Sequence, residues 1–333
     1  MSDDTRYAYA VARIRGMETG LLTRQLVERL LAEPVGGALS VLSDTSYQDA
    51  LADVARPEDL EEGLTRALSD TLATVAAIAP DPDLVGLFRE RWDFRNLRSL
   101  LKAAALKLDR EGSGIVDGPG LVELPVIEKA VRDKDYSVLP EHLAEAARDA
   151  DQAYRDSNEL SAIDGVIDAA LWRRSLAVAT ERRNDFLVEY LRAEIDLQNI
   201  KTFVRIKTSR GERDELDRAF IGGGTLDLST FAGFMEEPIE AFARALEYGR
   251  YGRVSEVLRD WSQGRMPALE LAADDFLLRL TEGGTTTAYG VEPLVRYILM
   301  RGLELKLVRM ILTGKLDGVD RSELESRLRS LHA

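Results

Sequence analysis

One helical phrase is written three times along this chain of 333 residues, and that repetition limits the possible folds more than any other feature. Residues 88–102 read FRERWDFRNLRSLLK, and residues 189–205 read EYLRAEIDLQNIKTFVR. In both, an acid is followed three residues on by Asn, then by an aliphatic residue, then by a base. The two sets are Asp93, Asn96, Leu97, Arg98 and Asp196, Asn199, Ile200, Lys201. A third copy, RGLELKLVRMIL at 301–312, places Glu304 at the acid position, Leu307 at the Asn position, Val308 next and Arg309 at the base. The acids lie 103 and 108 residues apart. A second marker keeps the same phase. Leu22-Thr23, Leu124-Pro125 and Leu228-Ser229 each open a helical run and precede their acids by 71, 72 and 76 residues. Two markers in phase imply a repeat of roughly 105 residues, far longer than the 20–50 residues of a solenoid unit. Three helical domains of similar size follow, in a pseudo-threefold arrangement or a curved row.

The repeat agrees with the local pattern. Ala, Leu, Glu and Arg dominate, β-branched runs are scarce and strand alternation is nowhere sustained, so the fold is expected to be all-α. Thr23 and Ser229 stand where helix caps are expected, and Asp320 with Glu323 has the spacing of a capping box. Glycine-rich breaks at GSGIVDGPG (112–120) and IGGGT (221–225) set the expected domains at 1–116, 117–219 and 220–333.

Composition excludes several functions. The net charge is −14, against the basic surface that nucleic acid or anionic lipid requires. The absence of cysteine removes disulfides, thiolate metal sites and cysteine nucleophiles. The opening MSDDTRYAYA lacks an apolar signal core, and the most apolar stretch, ATVAAIA at 73–79, is far short of the ~20 residues that span a bilayer. A cytoplasmic protein is expected, held at any membrane only through a partner.

The acid-and-amide phrase is open to a catalytic reading and to an architectural one. On a helix, Asp93 neighbours Asn96 and Leu97, and Asp196 neighbours Asn199 and Ile200, so polar groups flank an apolar stripe. Arg89, Arg192 and Arg301 lie three or four residues ahead of the acids and suggest intrahelical ion pairs, with a further bond to a neighbouring helix. Leu307 in the third copy favours architecture, because catalysis by acid and amide would not survive the loss of the amide. Arg98, Lys201 and Arg309 point elsewhere on the helix, about 140° round from the acid. They are candidate partner contacts, or pair with acids of a neighbouring domain.

Other signals lead away from enzyme chemistry. Gly314-Lys315 lacks the Gly five positions earlier that a P-loop needs, and Leu316 follows where Ser or Thr should stand. With only two histidines, His142 and His332, the chain offers little for a histidine metal site or general base. Asp274-Asp275 reads as a pair of helix N-terminal acids. Trp92, Trp172 and Trp261 are expected in cores.

The stretch YGVEPLVRYILMRGLELKLVRMILTGKLDGVDRSELESRLR (289–329) resembles the C-terminal signature of the C subunits of the archaeal and bacterial A/V-type ATPases, relatives of the vacuolar ATPase d subunit. The resemblance runs through YAYAVARIRGMETGLLT (7–23), LSDTSYQDAL (42–51), WDFRNLRSLLK, DLQNIKTFVR and FIGGGTLD (220–227). Leu307 departs from it, since the family often has Asn there. The resemblance implies a funnel of three all-α domains with no active site, cofactor or small-molecule substrate. It implies a connector between the central-shaft subunits (D and F type) and the membrane proteolipid ring, linking ATP synthesis or hydrolysis to proton or sodium movement. A generic helical adaptor with other partners is the alternative, and a carboxylate-metal enzyme the weakest reading.

Overall fold

A computed structural model of the chain describes residues 5–52, 54, 57–108, 115, 117–261 and 266–325. Among them there is no strand, and the fold is all-α. The first part of the chain forms α1 (Ala8–Glu18), α2 (Arg24–Ala32), α3 (Val35–Ser43), α4 (Gln48–Leu51), α5 (Pro57–Ile78) and α6 (Pro82–Leu106). The middle forms α7 (Leu124–Asp133), α8 (Glu141–Ser157), α9 (Leu160–Glu181), α10 (Asp185–Ser209) and α11 (Arg213–Ala219). The remainder forms α12 (Leu228–Ala232), α13 (Ile239–Leu246), α14 (Gly252–Arg259), α15 (Met266–Leu280), α16 (Gly283–Thr286) and α17 (Glu292–Leu316).

Local chemistry explains most of the helix ends. The Thr23 hydroxyl accepts the Leu26 N–H at 3.3 Å and so caps α2. Pro125 sits in the first turn of α7, where its missing N–H costs nothing. Ser229 lies inside α12 and is not its cap, since that helix begins at Leu228 after Asp227. Of the capping-box positions, Asp320 directly precedes helical residues 321–325 and Glu323 lies within them. Lys134 and Arg210 end α7 and α10 in the left-handed conformation, which turns their N–H groups back onto the last carbonyls.

The three copies of the phrase lie on the three longest helices among the described residues. Helices α6, α10 and α17 each have 25 residues, a length of about 37 Å at 1.5 Å per residue. Gly314 and Lys315 are internal to α17, so no phosphate loop forms there. Asp274 and Asp275 lie past the middle of α15 and not at its N-terminus; Asp275 pairs with Arg279 one turn on. Trp172 and Trp261 are buried, whereas Trp92 is half-buried under the Arg95 guanidinium, 4.6 Å from its ring centre.

The described residues fall into two compact units. The first holds those up to Val85, Asp117–Pro119 and those from Thr281 on; the second holds Gly86–Val116 and Gly120–Leu280. In the first, Leu305, Leu307, Val308, Ile311 and Leu312 of α17 share one core with Leu30, Leu42, Tyr47, Leu60 and Leu64 from the α2–α5 segment. In the second, Phe94, Leu97 and Leu101 of α6 pack with Ile127, Leu143, Ala147 and Ile163 of α7–α9. Phe203 of α10 meets Phe231 and Phe242 at 5.7 and 4.6 Å between ring centres. Each long helix thus packs on the helices that follow it in repeat order, and α17, the last, packs on α2–α5.

Candidate functional site

The three repeated acids are all buried, and each fastens to backbone beyond its own helix. Asp93 is 1 % exposed. Its Oδ2 accepts the Leu121 N–H at 2.9 Å, and its Oδ1 accepts the Val122 N–H at 3.1 Å, just ahead of α7. Asp196 is fully buried and accepts the Thr225 N–H at 2.9 Å and the Leu226 N–H at 2.9 Å, just ahead of α12. The hydroxyls of Thr225 and Tyr251 donate to its second oxygen, the latter at 2.6 Å. Glu304 accepts the Leu22 N–H, just ahead of α2. In every copy the acid meets the chain at the marker that opens the next helical run, and the third acid meets the first marker. In such a site N–H and O–H donors replace part of the water that a buried carboxylate loses.

Two glycines make room for this. A Cβ on Gly120 would stand 2.2 Å from Asp93 Oδ1, and one on Gly224 would stand 2.1 Å from Asp196 Oδ1. The short Asp side chain requires the backbone to come that close, and only glycine allows it. The third copy uses Glu, one methylene longer, and Leu21 precedes the N–H that it holds.

The expected intrahelical ion pairs are corrected in two copies of three. Arg301 does pair with Glu304, at 2.5 Å, with both side chains buried. Arg89 instead donates to the Gly120 carbonyl at 2.8 Å, fixing the loop that Asp93 holds. Arg192 is exposed, and Asp196 is satisfied by Thr225, Leu226 and Tyr251. Arg301 also donates to Ser46 Oγ and lies over the Tyr47 ring, 4.6 Å from its centre.

The amide position follows the backbone that faces it. Asn199, 2 % exposed, donates to the Ile221 carbonyl at 2.8 Å and accepts the Ile221 N–H at 2.9 Å. Asn96 is buried at the same place on α6. Leu307 has no such backbone to serve, because the chain ahead of Leu22 is the end of α1, where Gly20 and Leu21 bond back to Met17 and Glu18. The side chain packs in the core instead.

The repeated bases divide from this buried line. Arg98 pairs with Asp168 at 2.8 Å, and Arg309 with Glu61 at 2.7 Å, each partner lying in the segment that its helix packs against. Lys201 is half-buried on α10. Four side chains add contacts that local helical spacing does not reveal: the Tyr251 and Thr225 hydroxyls on Asp196, and the ammonium groups of Lys207 and Lys315. Lys207 donates to the Phe234 and Met235 carbonyls, and Lys315 to those of Leu31 and Glu33. Both lysines stand eleven residues past their acids, which is a signal present in the sequence.

Burial sets the electrostatics. It raises the Asp93 carboxyl to about 6 despite the Leu121 and Val122 N–H groups, which act the other way. It pushes the Tyr251 and Tyr47 phenols up, helped by Asp196 and Glu304 respectively. It lowers His142, which lies 3.8 Å from Glu90. Among the described residues, no group of three or more His, Cys, Asp or Glu is placed to hold a metal ion, and no helix is long and apolar enough to cross a membrane. The chemistry of the repeated site is therefore that of closed carboxylates, whose acceptor positions are filled by the protein.

Comparison with known proteins gives a family. The family model described as ATP synthase (C/AC39) subunit matches residues 10–327. The C subunit of the V-type sodium ATPase of Enterococcus hirae is 24% identical over 320 residues, covering 96% of this chain and 97% of that protein. The C subunit of the A-type ATP synthase of Thermococcus kodakarensis is 24% identical over 325 residues, 95% of this chain and 88% of that one. Its counterpart in Desulfurococcus sp. is 28% identical over 324 residues, 92% and 86% of the two chains.

Proposed function

The chain belongs to the ATP synthase (C/AC39) subunit family, and from that premise we propose that it is a non-catalytic connector of the central stalk in a rotary ATPase. It joins the shaft subunits of the D and F type to the membrane proteolipid ring, so that ATP synthesis or hydrolysis is linked to proton or sodium movement. The observation that carries this reading is the repeated anchor. Three helices of 25 residues are each pinned by a buried carboxylate to backbone that opens a helical run, the next one for α6 and α10 and the first one for α17. A part that transmits torque needs long elements whose attachments resist shear. Buried, multiply bonded carboxylates supply that resistance, because breaking them exposes an unpaired charge and several N–H groups at once.

Its place at the membrane comes through the ring, on the cytoplasmic side. The net charge of −14 suits polar or basic ring loops and keeps the protein off anionic lipid. The test is reconstitution with purified shaft subunits and detergent-solubilised ring. The chain should bridge the two, with weaker ring binding at high salt. A complex lacking it should hydrolyse ATP in the head without moving ions. Binding to neither partner, or loss of turnover in the isolated head, refutes the reading.

A further inference from the structure

A groove of about 620 Å³ opens between α6, α9, α10 and α11 of the second unit. Its walls carry four cations, Arg98, Lys102, Arg205 and Arg218, and its charges are unevenly matched. Asp168 takes Arg98 at 2.8 Å, and Asp164 takes Lys102 at 2.8 Å. The third acid on the wall, Glu215, lies over Gly211, where a Cβ would stand 2.2 Å from its Oε2. Arg205 is exposed and, among the described residues, has no bonded partner. Arg218 makes only an exposed ion pair with Glu159, at 3.8 Å, which solvent screens and a ligand can replace. Its backbone is nevertheless held in place, since a Cβ on Gly165 of α9 would stand 2.8 Å from the Arg218 carbonyl oxygen.

The repeat explains how the cations come together. Lys102 and Arg205 each stand nine residues past their acids, Asp93 and Asp196, on neighbouring copies of the phrase. Both copies aim this position into one groove. Asp164 neutralises the first, and among the described residues no acid bonds to the second. Two guanidinium forks from different helices match the separate oxygens of a diphosphate better than the two oxygens of a single carboxylate. The volume falls within the range of about 300–1,000 Å³ usual for small-ligand sites.

We propose that this groove binds a small ligand bearing a diphosphate group, held by Arg205 and Arg218. The site is independent of the coupling role proposed above. Its test is calorimetric titration of the full chain at low salt, without divalent metal, using inorganic pyrophosphate, ADP and a hexaglutamate peptide as probes. Pyrophosphate should bind one to one, and more weakly as salt rises. Arg205→Ala and Arg218→Ala should each weaken binding about tenfold or more. Both side chains are exposed, so the thermal melt should not change. Arg205→Lys should fall between wild type and alanine. Arg66→Ala, which removes an exposed guanidinium on α5, should change nothing. Tighter binding of ADP assigns the groove to an organic diphosphate, and equal binding assigns it to the free ion. The proposal is overturned if no probe saturates, if the groove variants bind as wild type does, if Arg66→Ala weakens binding equally, or if hexaglutamate binds more tightly than pyrophosphate.

Discussion

Replacing Asp196 by alanine should cost the second unit about 3–5 kcal/mol, by removing a buried acceptor from several donors at once. The carboxylate is fully buried and receives the N–H groups of Thr225 and Leu226 and the hydroxyls of Thr225 and Tyr251. The hydroxyls can rotate toward other acceptors, but the two N–H groups cannot. A buried N–H left without a partner costs roughly 1–3 kcal/mol, and the lost anchor frees the chain ahead of α12. Asp196→Asn keeps one acceptor oxygen and should lose about half as much. Gly224→Ala tests the same contact from the other side, since its Cβ would displace the carboxylate. Urea unfolding followed by far-UV circular dichroism reads all three variants, and Asp185→Ala, in the first turn of α10, serves as a control. If Asp196→Ala lies within about 1 kcal/mol of that control, the typical scale of an exposed interaction, the carboxylate is not an anchor and torque transmission through it is refuted. In the assembled enzyme the same variant should impair assembly while the isolated head keeps its turnover.

Other expectations follow from the same geometry. Asp93 has its carboxyl raised from 3.8 to about 6, so its contribution to stability is full below the lower value and is lost as pH rises through the higher one. Wild type should therefore gain stability relative to Asp93→Asn between pH 7 and pH 4 in urea titrations; a flat difference contradicts the burial. Asn199→Leu strands the Ile221 N–H and carbonyl, and Leu307→Asn buries an amide among aliphatic side chains, so each swap should cost about 2–4 kcal/mol by denaturant midpoint. Either swap being neutral would show that the two positions are interchangeable. Arg309→Ala removes a half-exposed pair with Glu61 and should cost no more than ~1 kcal/mol. A much larger loss in the free protein would place Arg309 in the fold and not at a partner surface.

Much of the architecture is legible in the chain, and the reasons are local. Helical periodicity reports the spacing of residues three and four apart, which is a property of a single helix. It yields the all-α class and the helices under the three phrases. The same logic misleads for the acids. It points to Arg89 and Arg192, one turn away, whereas the partners of Asp93 and Asp196 lie 28 and 29 residues on, and that of Glu304 lies 282 residues back. Asp274 and Asp275 fail similarly, because α15 begins a full two turns earlier, at Met266, with Pro267 in its first turn. Gly120 and Gly224 are visible in the two breaks, but only the approach of a carboxylate shows why they must be glycine.

From the order of residues it follows that one helical phrase recurs in phase with a second marker, and hence that long helices recur at like places. It follows too that the third copy does without the amide. What each polar group holds is settled only by packing. A buried carboxylate must find donors wherever packing brings unpaired N–H groups, and in this chain those are the loops ahead of α7, α12 and α2. An amide is needed where such a loop leaves its own backbone unpaired, as at Ile221. It is dispensable where the end of α1 has already paired its own, as beside Leu307.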